Sequence, residues 1–265
     1  MYTRKLNVLP SGAGCTGQIK LRNLLDCLQD TASLAVQDVE GTPGALMSRG
    51  YAWVLLKYDL DVVLRLPAMD ETFEIRTWHM PDSGFYTLRV FEIDGEGPGG
   101  LLPLVRAKTS WILLDLAAGR PVRPIKHLPE VFTRDAQPIS ADFRDVPKAG
   151  TAPVREAMFP VRFHDLDANI HVNNAVYFEW LFEATPLDLT AWGVKSMSAE
   201  FRVSAKPGDT IRVEVQERPG GGVKNAPEYL YTMWSTAEPD DSRGGRRPLA
   251  RFRCLWEPLE AAGRN

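Results

Sequence analysis

The sequence predicts an α+β protein made of two copies of one unit, each a long helix followed by an antiparallel sheet. Two observations carry this. The stretch PLVRAKTSW, Pro103 to Trp111, returns as PLARFRCLW, Pro248 to Trp256, with Pro, Leu, Arg and Trp in the same places and Lys108 matched by Arg253. Upstream of each lies a second matched pair, ETFEIRT (Glu71 to Thr77) and DTIRVEV (Asp209 to Val215), both alternating and both opening on an acid and a threonine after a turn. Alternation over six or seven residues marks half-buried strands.

Taken in order, MYTRKLNVLPSGAG has no apolar signal core, and no run of the chain is long enough to span a bilayer. The first helix is LRNLLDCLQDTASLAVQDV, Leu21 to Val39, where Leu21, Leu24, Leu25, Leu28, Ala32 and Ala35 recur at three and four. Strands follow near 52–65, 71–80, 84–94 and 101–114. Residues 126–153, rich in proline and charge, read as a linker between an N-terminal unit over 1–125 and a C-terminal unit over 154–265. A second helix runs from about Asn173 to Glu183. Its VYFEWLF is apolar almost all round, as in a helix wrapped by a sheet. Strands then fall near 195–204, 209–217, 227–237 and 248–257. The glycine-rich GEGPGG and PGGGVKNAP neither follow a strand nor open a helix as a phosphate loop must, so they read as hairpin connections.

The 265 residues are 44% hydrophobic and 25% charged, with a net charge of -3 and a pI near 5.9. That balance argues against a nucleic-acid partner. Cys15, Cys27 and Cys254 are odd in number, widely spaced and free of any CxxC pair. This points to a reduced cytoplasm and to neither a zinc site nor a disulfide framework.

One short stretch stands apart. DLDANIHVNNAVYFEW places Asp165, Asp167, Asn169 and His171 at alternate positions, then two asparagines, then the second helix. HDLDANIHVNNAVYFEWLFEATP resembles the signature of the acyl-acyl carrier protein thioesterases, an Asp-x-Asn-x-His-Val-Asn-Asn run leading into an aromatic helix that ends Glu-x-x-Pro. The matching residues are Asp167, Asn169, His171, Val172, Asn173, Asn174, Tyr177, Trp180, Glu183 and Pro186. YAWVLLKYDLDV, DETFEIRTW, RAKTSWILLD and TGQIKLRNLLDCLQDTA are similar to the family's first half, so the likeness covers nearly the whole chain.

The resemblance implies a tandem hotdog, with the acyl chain in the N-terminal unit and catalysis in the C-terminal one. It implies hydrolysis of an acyl-acyl carrier protein to a free fatty acid, with no metal or other cofactor and no membrane partner, and it leaves a homodimer open. A thioester hydrolase needs a base, a group to hold water and donors for the oxyanion. His171 suits the base, Asp167 can hold its ring in one tautomer, and Asn169 can orient water or the carbonyl. The free N–H groups of a helix starting near Asn173 suit an oxyanion.

Asp165 reads as a cap, and His79, His127 and His164 as ordinary structural histidines. Asn173 and Asn174 are expected to cap and to bond near the substrate. Trp53, Leu55 and Leu56, with the first helix, are expected to line the acyl tunnel. Arg4, Lys5, Lys20, Arg22, Arg243, Arg246 and Arg247 are candidate contacts for an acidic carrier protein.

The family also places a glutamate, and in plant members then a cysteine, on the strand after the helix. Here those positions hold Ser204 and Ala205. Three readings stand. The Asp-Asn-His set suffices, with Ser204 holding a water. Glu200 substitutes, about 13 Å away if the strand continues. Or the protein binds acyl chains without hydrolysing them. A hotdog thioesterase acting on acyl-coenzyme A is a further alternative.

Overall fold

The computed structural model describes residues 1–81, 84–128, 140, 142–148, 150, 152–218, 226–237 and 247–259. Two compact units divide the chain, Met1–Phe143 and Arg144–Asn265.

In the first unit, β1 (Tyr2–Asn7) precedes α1 (Leu21–Leu34) and a short α2 (Pro43–Ser48). Then come β2 (Tyr51–Val62), β3 (Thr72–Pro81), β4 (Tyr86–Gly97), β5 (Gly100–Asp115), a short β6 (Arg120–Val122) on β5, and α3 (Pro124–His127). In the second, β7 (Arg155–Pro160) precedes α4 (Asn174–Ala184), β8 (Trp192–Phe201), β9 (Thr210–Glu217), β10 (Glu228–Ser235) and β11 (Ala250–Pro258). Within each unit the strands pair antiparallel. The order within the first unit is β1-β3-β4-β5-β2 and within the second β7-β9-β10-β11-β8, the same topology twice.

Three of the repeated residues have a repeated structural task. The carbonyl of Leu104 accepts N–H groups from Val63 and Leu64 at 2.9 and 3.3 Å; that of Leu249 accepts from Arg202 and Val203 at 2.8 and 3.2 Å. Both end a strand by offering one acceptor to two successive donors. The repeated tryptophans mark a bulge. Leu56 is the extra residue of β2 beside Trp111, and Lys195 the extra residue of β8 beside Trp256. The acid opening each alternating strand caps the turn before it. Glu71 accepts the Ala68 N–H at 2.7 Å and Asp209 accepts the Lys206 N–H at 3.0 Å. That turn requires a left-handed residue, Asp70 at φ 65° in one copy and Gly208 at φ 86° in the other.

The helices differ as their sequences do. On α1 one face is buried, through Leu21, Leu24, Leu25, Leu28 and Thr31, and the helix stops at Leu34, with a 3-10 turn over Gln37–Val39 in place of the expected last turn. On α4 the run Ala175, Val176, Tyr177, Phe178 is buried without a break. The sheet supplies partners on several sides: Tyr177 meets Phe201 at 5.6 Å, Phe178 meets Phe252 at 5.2 Å, and Phe182 meets Trp256 at 5.2 Å between ring centroids.

GEGPGG is a hairpin, with Gly97 paired to Gly100. Residues 219–225, the first seven of PGGGVKNAP, lie outside the described residues, as do Arg243 and Arg246. Short edge strands β1 and β7, missed in the sequence, complete each sheet. The strand expected over 195–204 ends at Phe201, so alternation does not carry from Glu200 to Ser204.

Candidate active site

The second unit brings its polar stretch into one tight loop. Leu166 and Val172 pair as an antiparallel bridge, the Asp167 N–H donates to the His171 carbonyl at 2.8 Å, and the Ile170 N–H donates to the Asp167 carbonyl at 3.0 Å. The Asp167 carboxylate braces the interior. One oxygen accepts the N–H of Asn169 at 2.8 Å and of His171 at 3.2 Å; the other accepts Nδ2 of Asn169 at 3.2 Å. A short acid bonding the backbone two residues on is an Asx turn, here extended to a third partner. Among the described residues these bonds hold the backbone and the amide, not the imidazole. Asn169, its Nδ2 engaged, keeps Oδ1 as an acceptor. His171 is half-buried and Asn169 exposed.

Two supports fix the loop on the unit. Asp165, 1% exposed, accepts from the Arg162 backbone N–H at 2.8 Å and from its guanidinium at 2.9 Å, while its carbonyl accepts the Asn173 N–H at 2.8 Å. This is the capping role expected for Asp165. Asn173 is the N-cap of α4, its Oδ1 accepting the Ala175 N–H at 2.9 Å. Asn174 opens the helix and is half-buried.

The segment after β8 is tied to this loop. Val172 N–H donates to the Ala205 carbonyl at 3.1 Å, and Ala205 N–H donates to the Tyr177 hydroxyl at 2.8 Å. The residues just before this bond are His171 on one segment and Ser204 on the other. Ser204 is exposed. Glu200 is committed elsewhere: burial raises its pKa, but hydrogen bonds from Arg251 at 2.7 Å and Arg202 at 3.0 Å outweigh that and lower it. Burial raises the Tyr177 phenol to about 12, so it remains a neutral hydroxyl.

Sequence reading missed that the first unit carries the same loop. Ala13 and Ile19 form its bridge, Gly14 N–H bonds the Gln18 carbonyl at 2.8 Å, Gly17 N–H bonds the Gly14 carbonyl at 3.0 Å, and Ile19 N–H bonds the Pro67 carbonyl at 2.8 Å. Gly17, at φ 75°, stands where Ile170 has φ 58°. Gly14, Thr16 and Gln18 therefore occupy the places of Asp167, Asn169 and His171. The shared Gly/Ile–x–Ile/Val spacing was too short to align without the backbone.

Of the expected tunnel residues, Leu55 is buried. Trp53 is half-buried, stacks on His79 at 6.4 Å, and packs against the cluster of Val36, Leu46, Leu113 and Leu128. Arg4 and Arg22 are half-buried; Lys5, Lys20 and Arg247 are exposed. Lys5 lies 3.9 Å from Glu96, and Arg22 lies 3.7 Å from Asp26. Among the described residues no helix is long and apolar enough to cross a membrane.

A helix and a five-stranded antiparallel sheet, twice over in one chain, with a polar loop at the start of the second helix, define a tandem hotdog protein. Solved structures share that fold. An oleoyl thioesterase (putative) from Lactobacillus plantarum superimposes with a TM-score of 0.84 at 21% identity, covering 98% of this chain and 96% of its own. The 12:0-ACP thioesterase from Umbellularia californica gives 0.82 at 18% identity, covering 97% and 94%.

The chain belongs to the acyl-ACP thioesterase family. The family's N-terminal domain matches residues 1–131 and its C-terminal domain residues 150–238. An acyl-[acyl-carrier-protein] hydrolase, chloroplastic, of Cuphea viscosissima is 28% identical over 220 residues, 76% of this chain and 52% of its own length. A palmitoyl-acyl carrier protein thioesterase, chloroplastic, of Cuphea hookeriana is 27% identical over 277 residues, 97% of this chain and 62% of its own. The chain thus spans between half and two thirds of the length of these curated relatives.

Proposed function

We propose that this protein hydrolyses the thioester of an acyl-acyl carrier protein, releasing a free fatty acid. The observation that carries the reading is the contrast between two loops of one backbone. Only the second holds a base, His171, with an acid and an amide in register. Family membership supports the substrate class.

In the proposed reaction His171 takes a proton from water as the water oxygen attacks the thioester carbon. The tetrahedral oxyanion collapses with cleavage of the C–S bond, and the thiolate recovers the proton from the imidazolium. Asn169 offers Oδ1 to the water or Nδ2 to the carbonyl, and Asp167 acts by holding Asn169 and His171 in place. Ser204, exposed and one residue from the Val172–Ala205 bond, is assigned to hold the water.

Exposed apolar groups flank the loop, Phe163 at 82% and Ile170 at 65%, and suit the approach of an acyl-bearing arm. The acyl chain is assigned to the N-terminal unit and the carrier contact to Lys5, Lys20 and Arg247 among the described residues. The exposed Cys15 thiol and the buried Cys254 thiol support a reducing, cytoplasmic setting.

The test is hydrolysis of matched acyl thioesters of carrier protein and of coenzyme A by the wild type and by His171→Ala. Release from carrier protein, lost in the variant, is expected. Faster release from coenzyme A would move the substrate to the acyl-coenzyme A class. Bound acyl carrier protein without turnover would leave a binding protein.

A further inference from the structure

The first unit holds a cleft where α1 ends, between the turn that follows the helix and the start of β1, the second half of β3 and the first residues of β4. One side is apolar, with Leu34, Val36 and Val39. On the other lie Thr77, His79 and Arg89. Arg89 is 4% exposed. Its Nη1 donates to Thr77 Oγ1 at 3.2 Å and its Nη2 bonds Nε2 of His79.

Both partners are uncharged. The Thr77 hydroxyl spends its own proton on the Val90 carbonyl at 2.7 Å, so toward Arg89 it is an acceptor. Burial, then the Arg89 charge, hold the His79 imidazole well below its ordinary range, so it accepts as a neutral ring. Burial lowers Arg89 to about 9, which leaves it cationic at neutral pH. Among the described residues Arg89 forms no ion pair. Its neighbours on the opposite face of the sheet do: Arg76 reaches Asp94 at 2.6 Å and Glu92 at 2.9 Å, and Arg106 reaches Asp94 at 2.7 Å. The one acidic residue lining the cleft, Asp38, is exposed and is not paired with Arg89.

A buried cation held only by neutral acceptors is costly unless an anion completes it. A guanidinium has five N–H donors, and its planar fork matches a carboxylate. We propose that this cleft binds an amphiphilic monocarboxylate, with its carboxylate on Arg89 and its alkyl chain along Leu34, Val36 and Val39. A free fatty acid fits that description and is also the product of the proposed hydrolysis. The inference nonetheless stands on the cleft alone, and a binding measurement reads it whether or not the protein hydrolyses anything.

The test is calorimetric titration of the full chain with decanoate and with decan-1-ol, which share a chain and differ in the head. The wild type should bind decanoate at least tenfold tighter than decan-1-ol. Arg89→Met, which replaces the unpaired charge by an apolar side chain of similar length, should erase that preference and melt no lower than the wild type without ligand. Val39→Trp, which fills the cleft and leaves Arg89 in place, should weaken decanoate at least tenfold. Equal affinity of the wild type for the two ligands, or no binding of decanoate, overturns the proposal even if Arg89→Met fails to fold. So does decanoate binding that survives Val39→Trp unchanged, because the ligand then sits elsewhere.

Discussion

The hydroxyl of Tyr177 accepts the backbone N–H of Ala205 at 2.8 Å, while the Ala205 carbonyl accepts the Val172 N–H at 3.1 Å. One peptide segment is held from both sides, by the helix that carries the aromatic core and by the loop that carries His171. Tyr177→Phe removes the acceptor and leaves a buried N–H without a partner, a change that costs about 1–3 kcal/mol. The expected outcome is a lower melting temperature and a fall in turnover larger than the change in KM. A Phe variant with unchanged melting and turnover would mean that the Ala205 segment is held without Tyr177.

His171 and Asp167 should behave differently although they share a loop. His171→Ala deletes the proposed base and no hydrogen bond among those the loop is built on. It should cut hydrolysis on the order of 10² or more and leave the melting curve in place. Asp167→Ala strips the acceptor from two backbone N–H groups and one amide, so rate and stability should fall together. Asp167→Asn keeps one oxygen for the backbone donors but sets an NH₂ against Nδ2 of Asn169. It should recover most of the stability and less of the rate. Paired melting and steady-state measurements on the three variants separate these effects.

Ile170 stands at φ 58°, a region that β-branched side chains rarely occupy, and the equivalent residue of the first unit is Gly17 at φ 75°. Ile170 is also 65% exposed, so little packing offsets the strain. Ile170→Gly should therefore stabilise the second unit by about 0.5–1 kcal/mol, read as a shift in the denaturation midpoint. Gly17→Ile should do the reverse by at least as much. If Ile170→Gly gains stability but loses turnover, the exposed apolar side chain serves the substrate.

Acidification should destabilise the protein first through His79. Burial and the Arg89 charge lower its folded pKa, whereas the unfolded chain takes up that proton near pH ~6.5. Below that point the unfolded state binds more protons than the folded one, so stability falls as pH falls. Glu71 and Glu200 act in the same direction but only in the carboxylate range, because their folded pKa values are lowered. Urea midpoints between pH 8 and pH 5.5 should decline in the wild type and decline less in His79→Asn. Equal slopes would place the acid-sensitive group elsewhere.

Much of this architecture was legible in the sequence because the repeat records backbone tasks. The paired Leu104 and Leu249 carbonyls, the bulges beside Trp111 and Trp256 and the caps from Glu71 and Asp209 are local, and local geometry leaves local signatures. The edge strands β1 and β7 were not found. Each is six residues long and pairs on one side only, so few positions are under packing constraint. The site residues could be read as a group, but what they bond to could not. An acid four residues before a histidine is equally able to hold the ring or the backbone, and here both Asp167 oxygens turn inward. The loop of the first unit was hidden because it keeps the backbone and none of the chemistry.

Ser204→Glu tests what the site lacks relative to its family. A glutamate inside a packed strand would bury a charge at a cost of a few kcal/mol. Ser204, however, lies beyond the end of β8 and is exposed, so the substitution should change stability by no more than about 0.5 kcal/mol. The new carboxylate would enter one residue before the Ala205 carbonyl that anchors Val172, on the segment tied to the one bearing His171. It can accept a hydrogen bond from the attacking water, which raises the rate. Its negative charge also favours the protonated imidazole, which removes free base near neutral pH. These effects oppose each other at low pH and not at high pH, where the ring is neutral in either protein. The expected profile is therefore a modest change in kcat near pH 7, a gain that grows above pH 8, and a rising limb displaced to higher pH. A variant that melts with the wild type yet is slower at every pH would show that Ser204 holds the water through its own hydroxyl. Ser204→Ala should then be slower still.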